Sequence, residues 1–421
     1  MSDRKSIQLG DYANVLSGFP FPSEGFSQEE GVPLIRIRDL LASELETYFI
    51  GPYPDNFVID DGNILIGMDG DFNIVRWTKG KALLNQRVCK VFTSAAELDN
   101  GYLFWLLEPK LQDIHQKTPQ TTVKHLSVRD LVQLRLEIPP VNEQRLIARI
   151  LDTLDTQIEK TEALIAKLEK VKEGLLHDLL TRGIDENGQL RPSPQQAPEL
   201  YKESPLGLIP REWACVSIGE IARSTTLGTA SRGAESSAKT KLIKMGNLNW
   251  GNTLSLTDVE NISDRKVHEN LFLNDADLLF NTRNTPELVG KTCSWKGDGS
   301  SFTFDNNILR IRFSKGLNGH FVASYMSGDI GRGRIGRLAT GTTSVAAIYW
   351  RSLSRLEVPV PSPREQQLIV DKIKSSQNNT NTLNDDLTSL KRLKAGLMDD
   401  LLTGHVRTTS MLEHFKEVTS A

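Results

Sequence analysis

Basic side chains set among glycines occur in GRGRIGR at 331 to 337, which holds Arg332, Arg334 and Arg337 and runs on to Thr342, Thr343 and Ser344. Glycine lets a backbone come close to phosphate, and a guanidinium fork can pair bidentately with guanine. A solvated turn with incidental charge has the same composition. The first half of the chain carries Lys117, Thr121, Thr122 and Lys124 in a similar place ahead of a strand, where hydroxyls and lysines would hold a phosphate backbone and read bases poorly. A second pair of candidate loops follows the apolar runs NILIG and DLLFN: Asp69, Asp71, Asn73 and Arg76 in one, Arg283, Asn284 and Lys291 in the other. Asp can accept from cytosine and Asn can pair with adenine. Asp69-Gly70 also fits an ordinary hairpin turn, and Phe72 and Trp77 read as core residues.

Catalytic patterns are missing. The nearest approach to a phosphate loop, TPELVGKT at 285 to 292, has Thr285 where the leading glycine belongs and opens no helix. The single Pro-Pro closes a strand, and no Gly-rich cofactor loop appears. Seven histidines offer no ligand pair at helical spacing, and three cysteines lie too far apart for a metal knuckle. Neither a catalytic residue, a metal site nor a cofactor is expected in this chain. Sparse, odd-numbered cysteines and the lack of any apolar run near the ~20 residues of a membrane span point to a soluble cytoplasmic protein. Net charge is -3, but it is uneven. Residues 1 to 140 hold 14 Lys+Arg against 19 Asp+Glu, net -5, while residues 205 to 362 hold 19 against 14, net +5. A nucleic-acid contact would therefore rest on local clusters.

The elements that must position these loops come in duplicate. GLLHDLLTRGI at 174 to 184 returns as GLMDDLLTGHV at 396 to 406, and Glu143-Gln144 returns as Glu365-Gln366, both at an offset of 222. A gap-free match over about forty residues marks an internal repeat. Upstream, LEIPP answers LEVPV, PLIRIRDL answers KLIKMGNL and DDGNILI answers NDADLLF, with the offset drifting from 208 to 222 as loops vary. Strands are expected at IRIRDL, NILIG, LLNQRVCKVF, TKLIKM, ADLLFN and NNILRIRF, and one helix per globule at Tyr102 to Gln116 and Phe321 to Ser327.

In the first long helix a heptad seam runs through Leu151, Ile158, Ile165 and Leu179 at one position and Leu154, Leu168 and Leu175 at the other, with Thr161 and Lys172 as polar exceptions. The second repeats it with Ile373, Thr380, Leu387, Lys394 and Leu401, and with Ser376, Leu383, Leu390 and Leu397, keeping the lysine. A stripe this narrow is a coiled-coil pattern. Ser362-Pro363-Arg364-Glu365 reads as a capping box, so both glutamates read as helix-start chemistry. Such a helix would span about 58 Å at ~1.5 Å per residue. The expected order is a mixed α/β (α+β) domain at 1–140, a helix at 141–182, a linker at 183–204, a second α/β domain at 205–362, a helix at 363–404 and a tail at 405–421. The two helices would form a coiled coil in a pseudo-twofold molecule.

These pieces resemble the DNA-specificity subunit of type I restriction-modification systems over nearly the whole chain. The resemblance is carried by IPPVNEQRLIARI with GLLHDLLTRGI and VPSPREQQLIVDKI with GLMDDLLTGHV. SPLGLIPREW at 204 to 213, and NILIGMDGDFNIVRW followed by LLNQRV, add to it. No SPLGLIPREW-like lead precedes Ile7. The resemblance implies two target-recognition domains, each reading one half of a split, asymmetric site on double-stranded DNA, with the two helices paired as an antiparallel coiled coil that sets the unread spacer. It also implies a non-catalytic subunit that docks two modification subunits, which methylate adenine at N6 with S-adenosylmethionine. Two restriction subunits can join, with Mg and ATP on the partners, in a system of DNA methylation and phage defence. Without the resemblance, a coiled-coil structural adaptor and a DNA-binding regulator lacking methyltransferase partners remain open.

Overall fold

The computed structural model describes residues 4–118, 123–233, 239–298, 300–342 and 344–408. It resolves into two compact units, Met1–Ala163 with Asp385–Ala421 as unit 1 and Leu164–Asn384 as unit 2. Its longer helices are α1 (Asn100–Lys117), α2 (Val141–Thr181), α3 (Gly319–Ser327), α4 (Asp329–Gly336) and α5 (Pro363–Thr403). Unit 1 thus holds the first part of α2 and the last part of α5, and unit 2 holds the complementary parts.

Unit 1 is built on β1 (Lys5–Gln8), β2 (Ala13–Ser17), β3 (Val32–Ile35), β4 (Ile64–Gly67), β5 (Ile74–Arg76), β6 (Ala82–Leu84), β7 (Val88–Thr93) and β8 (Arg135–Ile138). An antiparallel sheet runs in the order β2-β7-β4-β5, β3 lies parallel to β6, and β1 pairs with β8. All four residues of β4 are buried, as its unbroken apolar run requires for a central strand. The α1 side chains Tyr102, Leu103 and Leu106 pack on Ile64, Ile66 and Val91 of that sheet. The Asp99 side chain accepts from the Tyr102 backbone N–H at 3.0 Å and so starts α1. The strand expected across IRIRDL stops at Ile35, because the Asp39 carboxylate accepts from the Arg36 N–H at 3.0 Å and tightens Ile37–Asp39 into a 3-10 turn. The strand expected across LLNQRVCKVF is likewise two strands, parted by a turn in which Arg87 takes φ 73. Phe72 and Trp77 are core residues.

Unit 2 repeats this set with β9 (Ala214–Ser217), β10 (Ala222–Leu227), β11 (Thr240–Ile243), β12 (Leu278–Asn281), β13 (Thr292–Ser294), β14 (Phe302–Phe304), β15 (Ile308–Phe313) and β16 (Glu357–Val360). The pairings recur in kind: β10-β15-β12-β13 in one sheet, β11 parallel to β14, and β9 with β16. Two expectations need correction. Residues 331 to 337, read as a loop, mostly belong to α4, because Ile335 is buried. A Cβ on Gly331 would lie 2.2 Å from the Tyr325 carbonyl oxygen, so that glycine permits a sharp helix-to-helix corner. Residues 183–204, read as a linker, are folded down: Ile184, Arg191 and Tyr201 are buried, and Tyr201–Ser204 pairs with Gly207–Pro210.

Within each unit the two helical parts pair antiparallel. In unit 1 Lys394 reaches Asp155, and in unit 2 Lys172 reaches Gln377; the paired residue numbers add to 549 in each case. The retained lysine of the seam thus spans to the opposite helix at the same repeat position. Leu151, Ile158, Ile165, Leu179 and Leu401 are buried, and so are the polar Thr161 and Thr380. Leu154, Leu168, Leu175, Ile373, Leu383, Leu387, Leu390 and Leu397 are half-buried.

The Glu-Gln pairs do more than start helices. The Ser362 hydroxyl does accept from the Glu365 N–H at 3.2 Å, but the Glu365 carboxylate does not turn back to complete a capping box. It is buried and accepts from the Ile184 N–H (2.9 Å), the Trp213 indole (3.1 Å) and both terminal nitrogens of Arg191. Glu143 is equally buried and accepts from Arg407 (3.1 Å) and from the Thr408 N–H (3.3 Å). Each carboxylate therefore captures the chain leaving the end of the other helix. The following glutamine holds the globule. Gln144 accepts from the Asp99 N–H and donates to the Pro139 and Glu97 carbonyls, all at 2.8 Å. Gln366 accepts from the Asn318 N–H at 2.8 Å and donates to the Pro361 and Gly316 carbonyls. Asp99 and Asn318 are the N-caps of α1 and α3, so the latch fixes each globular helix to a long helix.

Candidate nucleic-acid interface

In each unit four separate segments cross at one edge of the main sheet, joined by backbone hydrogen bonds that recur residue for residue. In unit 1, Phe19 N–H donates to Leu84 (2.9 Å), Gln86 N–H to Phe19 (3.0 Å), Met68 N–H to Arg87 (2.8 Å) and Leu126 N–H to Met68 (2.7 Å). In unit 2, Thr229 donates to Phe304 (2.9 Å), Asn306 to Thr229 (3.1 Å), Thr282 to Asn307 (2.8 Å) and Ile348 to Thr282 (2.9 Å). Gly18 and Gly228 open the crossing, and neither tolerates a side chain. A Cβ there would fall 1.9 Å from the Asn85 oxygen or 2.1 Å from the Phe304 oxygen.

This frame brings together loops that are distant in sequence. In unit 2 Arg283–Asn284 pairs with Ala346–Ala347, which pairs in turn with Thr340–Gly341, so the candidate after β12 and the threonine-rich loop share one small sheet. In unit 1 Asp69 bridges His125, and Gly70 N–H donates to the Lys124 carbonyl at 3.0 Å. The Asp69 carboxylate lies 2.6 Å from the His125 ring and 3.5 Å from Arg87; Asp71 lies 3.8 Å from His115. Asn73 and Lys117 are exposed. The Lys124 ammonium donates to the His115 carbonyl at 2.5 Å. Arg283 is exposed, Lys291 is half-buried, and Ser344 lies 3.3 Å from Thr342 in the turn that Thr342 closes onto Val345. Thr121, Thr122 and Thr343 lie outside the described residues.

Other candidates are committed elsewhere. Arg76 falls in a strand, pairs with Asp152 at 2.9 Å and stacks on Phe104; the Trp105 indole donates to the same carboxylate at 2.8 Å. Arg332 stacks over Trp250 at 4.5 Å, while Arg334 donates to the Pro205 carbonyl at 3.1 Å and faces Glu357 at 3.8 Å. None of these partners belongs to the crossing edge. Arg337 is the exposed C-cap of α4. Asn284, read as an adenine partner, already donates to Asn281 (3.1 Å) and accepts from the Thr285 N–H (2.9 Å).

Sequence reasoning missed the turn residues Gln86-Arg87 and Asn306-Asn307 and the two glycines. The signal was available as a polar triplet between apolar strands in each copy, NQR and DNN. Asp305 opens the second triplet: burial pushes its carboxyl up, and the Asn307 N–H, donating at 2.9 Å, offsets this in part. Burial also pushes the Cys89 and Cys293 thiols up to about 12, which leaves them neutral and poor nucleophiles. Among the described residues one trio, Asp399, Asp400 and His405, places ligand atoms within 4.8 Å of one another, as exposed acids at a helix end commonly do without an ion.

Residues 1–170 match the family model for the type I restriction modification DNA specificity domain. The chain is similar to specificity subunits of type I restriction-modification systems. It is 32% identical over 253 residues to the type I restriction enzyme EcoBI specificity subunit of Escherichia coli, covering 58% of this chain and 52% of that relative, so the chain spans about half of it. It is 22% identical to the MjaVIII specificity subunit of Methanocaldococcus jannaschii over 97% of this chain and 94% of the relative. The fold is similar to the crystal structure of a type I restriction-modification S subunit from M. genitalium, with a TM-score of 0.60 and 15% identity over 95% of this chain and 96% of that one. Among the described residues no helix is long and apolar enough to cross a membrane.

Proposed function

We propose that the chain is the non-catalytic, sequence-specific DNA-binding subunit of a type I restriction-modification complex. Each unit reads one half of a bipartite, asymmetric site on double-stranded DNA. The long helices set the unread spacer and dock two modification subunits that methylate adenine at N6. S-adenosylmethionine, Mg and ATP belong to the partner subunits, and two restriction subunits complete the nuclease. The observation that carries this reading is the crossing edge, one backbone frame occurring twice with different side chains on it. Two readers on one frame suit a split site whose halves differ, and phosphate-holding backbone with base-reading side chains divides the work.

Mapping N6-methyladenine across a genome with and without this gene, in the presence of its modification subunit, tests the reading. The expected result is a two-part motif that disappears with the gene; methylation independent of the gene overturns it. Inserting four residues after Ala163 adds about 6 Å of helix and should lengthen the spacer while both half-sites persist. An unchanged spacer with intact methylation removes the helices from that role.

A further inference from the structure

We propose that the residue following Met68 in unit 1 and Thr282 in unit 2 is the base-reading position of each half, and that Arg283 reads a guanine in the half bound by unit 2. This rests on the specificity-subunit reading above. Equivalence comes from the frame: Met68 donates to Arg87 and accepts from Leu126, as Thr282 donates to Asn307 and accepts from Ile348. The next residue occupies one backbone place in both units, yet it is Asp69 in the first and Arg283 in the second. Opposite charge on the same backbone place is what two different half-sites would demand and what a purely structural position would not.

The surroundings differ in the same sense. Around Asp69 the equivalents of Asn307 and Ala347 are Arg87 and His125, and both approach its carboxylate, at 3.5 and 2.6 Å. That compensates its charge near DNA and leaves carboxylate lone pairs to accept from the amino group of cytosine or adenine. Around Arg283 the equivalent places hold uncharged side chains, and the neighbour across the strand pair is Ala347, too small to cover the guanidinium. Arg283 is exposed at the edge, and the structure gives its guanidinium no hydrogen-bond or ion-pair partner among the described residues. An uncommitted fork matches the O6 and N7 acceptors of guanine in the major groove. Asn306, exposed at the turn beside it, can read the adjoining base, as Gln86 can in unit 1.

A phosphate contact by Arg283 is the competing outcome, and lysine separates the two. Lysine keeps the charge but loses the planar fork. The full chain, wild type or R283A or R283K, is expressed with its modification subunit, and N6-methyladenine is mapped genome-wide. The purified complexes are then titrated at several salt concentrations with duplexes altered at each half-site position. Both variants are expected to lose discrimination for guanine at one position of one half-site by about 5- to 150-fold, with the other half unchanged. R283K should keep the salt dependence of the wild type, and D69A should relax a single position in the other half. Full discrimination in R283K, or an unaltered motif in R283A, overturns the assignment. Absence of a bipartite motif in the wild type overturns the functional reading instead, so the two failures are distinct.

Discussion

Replacing Glu365 with alanine should open unit 2 locally, and the size of the effect follows from what the carboxylate holds. Glu365 and Arg191 have side-chain exposures of 8% and 9%, so their ion pair is almost dry. Removing one partner of a buried pair costs about 3–5 kcal/mol, because the remaining charge has no compensation. The Ile184 N–H and Trp213 indole lose their acceptor too, but losses in one network do not add, so ~4 kcal/mol is the working figure. Glu212 also touches Arg191, yet its side chain is 78% exposed and offers little rescue. Hydrogen-exchange mass spectrometry reads this directly. Amides in residues 183 to 213 and in the first turns of α5 should exchange on the order of 10²- to 10³-fold faster, with peptides from residues 5 to 138 unaffected. The double variant E365A/R191A should be less perturbed than E365A, since both buried charges are then gone. A change below about fivefold, or acceleration spread evenly over the chain, would refute the latch.

Two further outcomes follow. Arg334→Ala should cost roughly 1 kcal/mol in stability through its lost carbonyl contact, with no change in the salt dependence of DNA binding; a flattened salt slope would return α4 to the interface. His320 lies between the Ser294 hydroxyl (2.9 Å) and Asp275 (3.4 Å), with Lys296 and Lys374 also acting on it, and burial holds it below its ordinary value of 6.5. The folded state favours the neutral ring, so its contribution is full above pH 6.5 and is lost as pH falls toward the lower folded value. Unfolding at pH 7 and pH 5 should show that loss in the wild type and not in H320Q; equal slopes would show that the ring does not titrate in this way.

The parts legible in the sequence were those encoded locally or by repetition. A constant offset of 222 and the spacing of leucines needed no tertiary knowledge, and the apolar runs of β4 and β12 read directly as buried strands. What escaped depends on contacts far apart in the chain. Glu365 meets Arg191 across 174 residues and Glu143 meets Arg407 across 264, so nothing near either glutamate distinguishes a latch from helix-start chemistry. The glycines of α4 misled for another reason. Glycine disfavours a helix by about 1 kcal/mol against alanine, but Gly331 is there for close packing on Tyr325, and tertiary contact outweighs that penalty. Arg76 was misplaced because period-two strands also carry polar residues on one face, and the Asp152 that claims it lies on a different element.

The repeat therefore divides into what recurs and what does not, and the division is informative. Glu-Gln latches, lysines crossing to the opposite helix and the hydrogen bonds of the crossing edge all recur with their chemistry nearly intact. Side chains mounted on that edge do not: Asp69 corresponds to Arg283, His125 to Ala347 and Arg87 to Asn307. Had the copies drifted without function, exposed edge residues and buried latch residues would still differ in rate, but drift gives no reason for a charge reversal whose partners change with it. Asp69 gains a cation and an imidazole in the unit where it is acidic, and Arg283 stands among uncharged neighbours in the unit where it is basic. The two edges thus differ in charge and in what surrounds that charge, while the backbone frame beneath them is shared. Substituting the edge while sparing the frame should therefore change what is read without changing whether the unit folds, and the Arg283 and Asp69 variants ask that of each half separately.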